Sequence, residues 1–296
     1  MASIYTHQDR NIFKTWVLMG SFLVLVIAVG WGFAWYANSP VILYIAVGIA
    51  FLMNIFSYWY SDKVVIKMTG AKPATRESHR ELWNILENLS ITAGLPMPKL
   101  YVVNDPAPNA FATGRNPQHA VVAVTTGLLD ILDRNELEGV IAHELSHVGN
   151  RDMLVMTVAV ILVGFLALLA DMFLRMLHFG GGNNRDRGGA LFLVIGIIGA
   201  ILIPIAARLI HFAISRKREF LADASGVLLT RYPEGLASAL EKIDRSGREM
   251  KKKSHATAHL FIANPFGSRN RALGYANKLF STHPPAAERV AALRGH

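Results

Sequence analysis

Val140-Ile141-Ala142-His143-Glu144-Leu145-Ser146-His147-Val148-Gly149-Asn150 decides the reading of this chain. His143 and His147 stand four apart, so a helix would stack them on one face. Two neutral imidazoles at that spacing can share a zinc ion, with Glu144 close by and free of it. A metal-acidified water beside a carboxylate is equipment for hydrolysis. Two histidines on an ordinary helix would read the same over these five letters. The decision therefore needs further ligands.

The flanking residues favour a helix. Asp133 is a candidate N-cap with Glu136 three residues on, and Leu137, Val140, Ile141, Ala142 and Leu145 offer apolar packing.

The 296 residues are 52% hydrophobic, and the excess lies in blocks. Trp16 to Trp35 and Val41 to Trp59 carry no charge. Met153 to Leu174 is broken only by Asp171, and Ala190 to Ile210 only by Arg208. Each approaches the ~20 residues a helix needs to cross a bilayer. The expected architecture is mainly α and integral to a membrane. Four transmembrane helices in two hairpins would carry a cytoplasmic catalytic part with a small β-sheet. The apolar run of the first block is too long for a cleaved leader, and Trp35 fits poorly near a cut after Ala37, so it reads as a retained anchor. Four segments follow: a hairpin over 1–60, a catalytic part over 61–152, a second hairpin over 153–214 and a catalytic part over 215–296.

Absence of cysteine excludes disulfides, thiolate nucleophiles and cysteine ligands. The net charge is +9, with the positive residues gathered beside the apolar blocks, which points to anionic lipid headgroups rather than nucleic acid. Lys63, Lys67, Lys72, Arg76 and Arg80 follow the second block, whereas the turn around Tyr36 to Pro40 is uncharged. The positive-inside rule then puts both termini and the catalytic residues in the cytoplasm. Arg175, Arg185 and Arg187 between the third and fourth blocks run against that rule. The run Gly180-Gly181-Gly182 lacks a lysine and a following amphipathic helix, so it is no phosphate cradle, and no nucleotide is expected.

Ser78 to Ala93 reads as an amphipathic helix, Lys99 to Val103 and Ala120 to Thr125 as strands, and Pro233 to Ile243 as a helix. Asn109-Ala110-Phe111-Ala112 lies between the two strands. It reads either as an edge strand to which an extended peptide could add, or as part of a plain hairpin.

A catalytic zinc keeps three protein ligands and an open position. With cysteine excluded and no third histidine close behind His147, a carboxylate is expected, and Glu219 is the best placed, where the fourth block ends. Two spans between His147 and Glu219 would return both to one side of the membrane. Asp223, one turn on, could accept the second N–H of a zinc-bound histidine. The alternative for this pair is a solvated face balancing Arg216 and Arg218, themselves a membrane-edge stop.

With these residues in view, the chain resembles the membrane-embedded gluzincin peptidases of the HtpX type, relatives of the CAAX prenyl proteases. The resemblance rests on His143-Glu144-Leu145-Ser146-His147, on Glu219 with Asp223, on Asn109-Ala110-Phe111-Ala112, and on Thr282-His283-Pro284-Pro285 with Glu288-Arg289. It implies a zinc endopeptidase of the bacterial cytoplasmic membrane that cuts damaged or misassembled membrane proteins from the cytoplasmic side, in the service of stress response and quality control. His143, His147 and Glu219 would be ligands of one Zn2+, with Glu144 the general base. His283 resembles a catalytic histidine that steadies an oxyanion, with Arg289 in support, and a polar turn before the last helix is the competing explanation for His283. The prenyl proteases carry more spans, so that subgroup does not fit. Two other classes compete: a membrane scaffold with structural zinc, which would want four protein ligands, and a transporter, which would want ionisable groups in mid-span.

Overall fold

The computed structural model describes residues 4–36, 38–179, 216–254, 257–267 and 284–295. Two long helices open the chain, α1 (Ile4–Tyr36) and α2 (Pro40–Thr69), and both are long and apolar enough to cross a membrane. They approach closely where Gly30 faces Ala46, the small-residue contact favoured between helices in lipid. Trp16, Trp31, Trp35, Tyr44 and Trp59 stand exposed on this pair, as side chains facing lipid would.

Beyond α2 come β1 (Lys72–Pro73), α3 (Arg80–Thr92), β2 (Lys99–Val103), β3 (Ala110–Thr113), β4 (Val121–Thr125) and the short α4 (Thr126–Ile131). The sheet order is β1-β2-β4-β3, with β2 and β4 parallel and the outer pairings antiparallel. β3 is therefore both the hairpin partner of β4 and a sheet edge. The alternation of strand side chains sends Leu100, Val102, Ala110, Ala112, Val122 and Val124 to one face. Val103, Phe111 and Ala123 go to the other. Helices cover both faces, which is why β4 is buried at every position.

The first face packs on α3, through Leu82, Ile85, Leu86 and Leu89, and on α5 (Arg134–Gly149). α5 starts with the expected capping box, Asp133 accepting from the Glu136 backbone and Glu136 from that of Asp133. The second face meets Met156, Val160 and Ile161 of α6 (Asp152–Phe179). α6 also buries Leu154, Val155, Val158, Ala159 and Leu162 against Leu18, Phe22 and Val26 of α1. An 81° bend separates α5 from α6, and Arg151 sits in it at a φ of 57°. The third apolar block thus forms a helix wedged between the N-terminal pair and the sheet. Two described helices have spanning length, or three if the bent pair counts as one span. The fourth block, Ala190 to Ile210, and the glycine run lie outside the described residues.

Three helices complete the described chain: α7 (Arg216–Thr230), α8 (Pro233–Ser246) and α9 (Ala286–Arg294). The architecture is mainly α with a small mixed sheet, as the sequence led us to expect.

Candidate metal centre

α5 presents His143, Glu144 and His147 to α7 from its most buried turns, and all three are within a few per cent of fully enclosed. α7 comes close enough to answer because Gly226 has no side chain. A Cβ there would stand 3.0 Å from the His143 backbone nitrogen. The close approach puts Glu219 opposite both imidazoles. His143 Nε2 lies 3.8 Å from Glu219 Oε2, His147 Nε2 lies 3.7 Å from Glu219 Oε1, and the two Nε2 atoms are 3.2 Å apart. Among the described residues this is the one group of three or more His, Asp or Glu side chains able to converge on an ion, its donor atoms all within 4.8 Å of one another.

The outer nitrogens are also committed. His143 Nδ1 is 2.9 Å from Asp223 Oδ1, and His147 Nδ1 is 3.2 Å from Asp152 Oδ2. A carboxylate on each Nδ1 fixes the proton there and turns both Nε2 lone pairs to the centre. Asp223 is itself clamped by Arg289, whose Nε donates to Oδ2 at 2.9 Å and Nη2 to Oδ1 at 2.6 Å. A third arm of Arg289 reaches the Ile262 carbonyl. Burial would push the Asp223 carboxyl up, but the Arg289 guanidinium outweighs it and holds the group down at about 2.

The two imidazoles differ. Burial, together with the nearby Arg289 charge, pulls His143 down to about 4, so it is neutral. Burial also works against a proton on His147, yet Asp152, Glu219 and Glu144 outweigh it and raise the group to about 9. Burial lifts Glu144 to about 7, against the pull of His147. One Glu144 oxygen meets the Ala112 backbone N–H, and Oε2 is buried with no hydrogen-bond partner among the described residues. An unpaired carboxylate oxygen beside two histidines and a glutamate is the signature of a site awaiting water or substrate.

The remaining expected residues divide. Asn109 does not face the centre. Its amide donates to the Ala263 carbonyl at 2.9 Å, and its oxygen accepts from the Ala263 N–H at 3.1 Å. Phe111 is buried edge-on against Phe261, and the Ala110 carbonyl accepts from the Ile262 N–H at 2.9 Å. The outer edge of β3 is thus covered at Ala110, whereas Ala112 points its N–H into the site. Arg289 lies behind Asp223, fully buried, on the far side of His143 from Glu219. His283 lies outside the described residues, and Pro284 with Pro285 leads into α9.

Three participants were not singled out from sequence: Asp152, Asn11 and Arg218. Arg218 Nη1 stands 3.7 Å from Asp152 Oδ1, so the third residue of the basic run is buried by an ion pair while Arg216 and Lys217 stay exposed. An aspartate five residues after His147, heading an apolar helix with no further charge until Asp171, was the available signal.

The model of peptidase family M48 matches residues 76–296. The chain belongs to peptidase family M48. Curated relatives match over nearly the whole length. A Protease HtpX homolog of Caldanaerobacter subterraneus subsp. tengcongensis is 46% identical over 99% of this chain and 97% of its own. One from Tropheryma whipplei (strain Twist) is 45% identical, covering 98% of each chain. The crystal structure of S. mikatae Ste24p superposes with a TM-score of 0.53 at 18% identity, over 98% of this chain and 67% of that one, and so shares the fold. This M48 chain is a membrane metalloprotease, a hydrolase of peptide bonds, and the family implies a metal at its centre.

Proposed function

We propose that the metal is one Zn2+ held by His143, His147 and Glu219, and that the chain is an endopeptidase cutting misfolded or damaged membrane proteins. The observation that carries this reading is the convergence of two Nδ1-anchored imidazoles and one carboxylate beside the unpaired Glu144 Oε2. The donor set fits. Atoms bound tetrahedrally at about 2.0–2.2 Å stand roughly 3.3–3.5 Å apart, near the spacings of 3.2 to 3.8 Å found here. Nitrogen and oxygen donors without sulfur suit zinc, and three of them leave a position for water.

Zinc supplies Lewis acidity to a bound water and to the scissile carbonyl. Glu144 does the proton work. Held near neutrality by burial, it accepts the water proton and returns one to the leaving amine. Asp223 and Asp152 keep both imidazoles in the tautomer that binds. Substrate lies extended along the outer edge of β3 from Ala112 outward, since the Ala110 carbonyl is already taken. His283 acts as the oxyanion donor, while Arg289 clamps Asp223 and through it holds His143. The enzyme belongs to the bacterial cytoplasmic membrane with the centre on the cytoplasmic side. Anionic headgroups meet the basic residues after α2.

Glu144→Gln tests the assignment. Purified in detergent, the variant should keep one zinc per chain and lose cleavage of an unfolded membrane substrate by at least a thousandfold. Undiminished cleavage would sink it.

A further inference from the structure

The first membrane helix reaches the metal centre. Asn11 of α1 is buried and makes a two-pronged contact: its Nδ2 donates to Asp152 Oδ1 at 2.7 Å and to the Asn150 carbonyl at 2.9 Å. Its own oxygen takes a long contact of 3.5 Å from Arg218 Nη1. One turn earlier, Gln8 Nε2 donates to the Gly149 carbonyl at 2.7 Å. Both side chains meet the elbow where α5 ends and α6 begins.

Asp152 divides its oxygens. Oδ2 faces His147 Nδ1, while Oδ1 is held by Asn11 with Arg218 behind it. A short carboxylate with one oxygen pinned cannot rotate about its terminal torsion without losing that bond. The orientation of the His147 ring is thereby referred through Asp152 to a residue 141 positions before that aspartate, on a different helix.

We infer that Asn11 is a positioning residue of the metal centre: it fixes the Asp152 carboxylate that holds His147, making α1 part of the hydrolytic apparatus as well as an anchor. The inference rests on the zinc reading above. Partners that hydrogen-bond a ligand directly typically contribute about 10–100-fold to metal affinity, and Asn11 acts through such a partner, Asp152. Gln8 touches the same elbow without touching Asp152, so it separates orientation from mere docking of the helix.

The test uses the full chain in detergent, with zinc affinity measured by chelator competition and site geometry read from the visible spectrum of the cobalt(II)-loaded protein. Asn11→Leu, close in size but without hydrogen bonds, should weaken zinc binding about 10–100-fold and shift the cobalt bands. Asn11→Asp keeps the shape and replaces the donor with a second carboxylate, and serves if the leucine variant does not fold. It should weaken zinc binding and shift the cobalt bands as well. Gln8→Leu should change zinc affinity less than twofold and leave the spectrum as in the wild type. Wild-type affinity in a folded Asn11 variant, or equal losses in the Gln8 and Asn11 variants, would overturn the inference. Failure of the wild-type chain to bind zinc would instead overturn the zinc reading itself.

Discussion

His147 and Asp152 face each other across the 81° elbow between α5 and α6, Nδ1 to Oδ2, at 3.2 Å. That contact, with Glu219 and Glu144 close by, raises the imidazole to about 9 despite its burial. The metal-free protein therefore holds an extra proton on His147, and Nε2–H can donate to His143 Nε2 at 3.2 Å. Metal and proton compete for the same lone pair.

A pH dependence with a definite sign results. Because the folded value lies above the ordinary 6.5, the proton stabilises the metal-free fold fully below 6.5, and that stabilisation is lost as pH rises through about 9. Zinc must displace the proton, so its apparent affinity should rise about tenfold per pH unit between 7 and 9, then level off. Thermal unfolding with and without zinc should show the metal-induced increment in Tm growing over the same interval. A pH-independent zinc affinity would contradict this.

Arg289 and Asp223 form a fully buried ion pair, the reverse case. Asp223 titrates at about 2, below its ordinary 3.8, so its contribution is complete above 3.8 and disappears as pH falls through 2. Removing one partner of a buried pair leaves an uncompensated charge and costs about 3–5 kcal/mol. Arg289→Met should lose that much stability in denaturant titration and should unfold in acid at a higher pH than the wild type. The double variant Arg289→Met with Asp223→Asn should recover part of the loss. An additive double variant would show that the pair does not act as one.

The site was legible in its parts because a helix projects residues at a fixed angular step. His143 and His147 share a face by spacing alone, and so do Glu219 and Asp223. The capping box announced where α5 begins. What spacing does not carry is which long-range partner fills each remaining hydrogen bond. Asn11 belongs to no local pattern, and Arg218 reads with Arg216 as a membrane-edge stop. Asn109 and Phe111 sit in a stretch that does form an edge strand, but their side chains hold the Phe261–Ala263 segment, which no local pattern links to β3.

Gly226 sets the distance between α5 and α7. A methyl group there meets the Ala142 and His143 backbone at 3.0 to 3.3 Å, and backbone cannot swing aside as a side-chain tip can. Gly226→Ala should push α7, and Glu219 with it, a few tenths of an ångström from the histidines. Overpacking of this kind costs about 1–3 kcal/mol. The expected readout is weaker zinc binding together with lower Tm. Gly48→Ala, with open space around its Cβ, should leave both nearly unchanged. Equal behaviour of the two variants would refute the close-packing argument.

Asn109 is where β3 is tied to the chain that follows α8. Its amide satisfies both backbone groups of Ala263, and the Ile262 N–H closes on Ala110 alongside. Asn109→Ala leaves the half-buried Ala263 backbone groups without these partners, a loss at the low end of about 1–3 kcal/mol. The damage should be local, because Phe261 remains packed on Phe111. Hydrogen exchange followed by mass spectrometry should show faster exchange over residues 260–263, and unchanged protection in α5, whose backbone bonds do not involve this segment. Faster exchange in both regions would mean that the segment and the metal helix open as one unit.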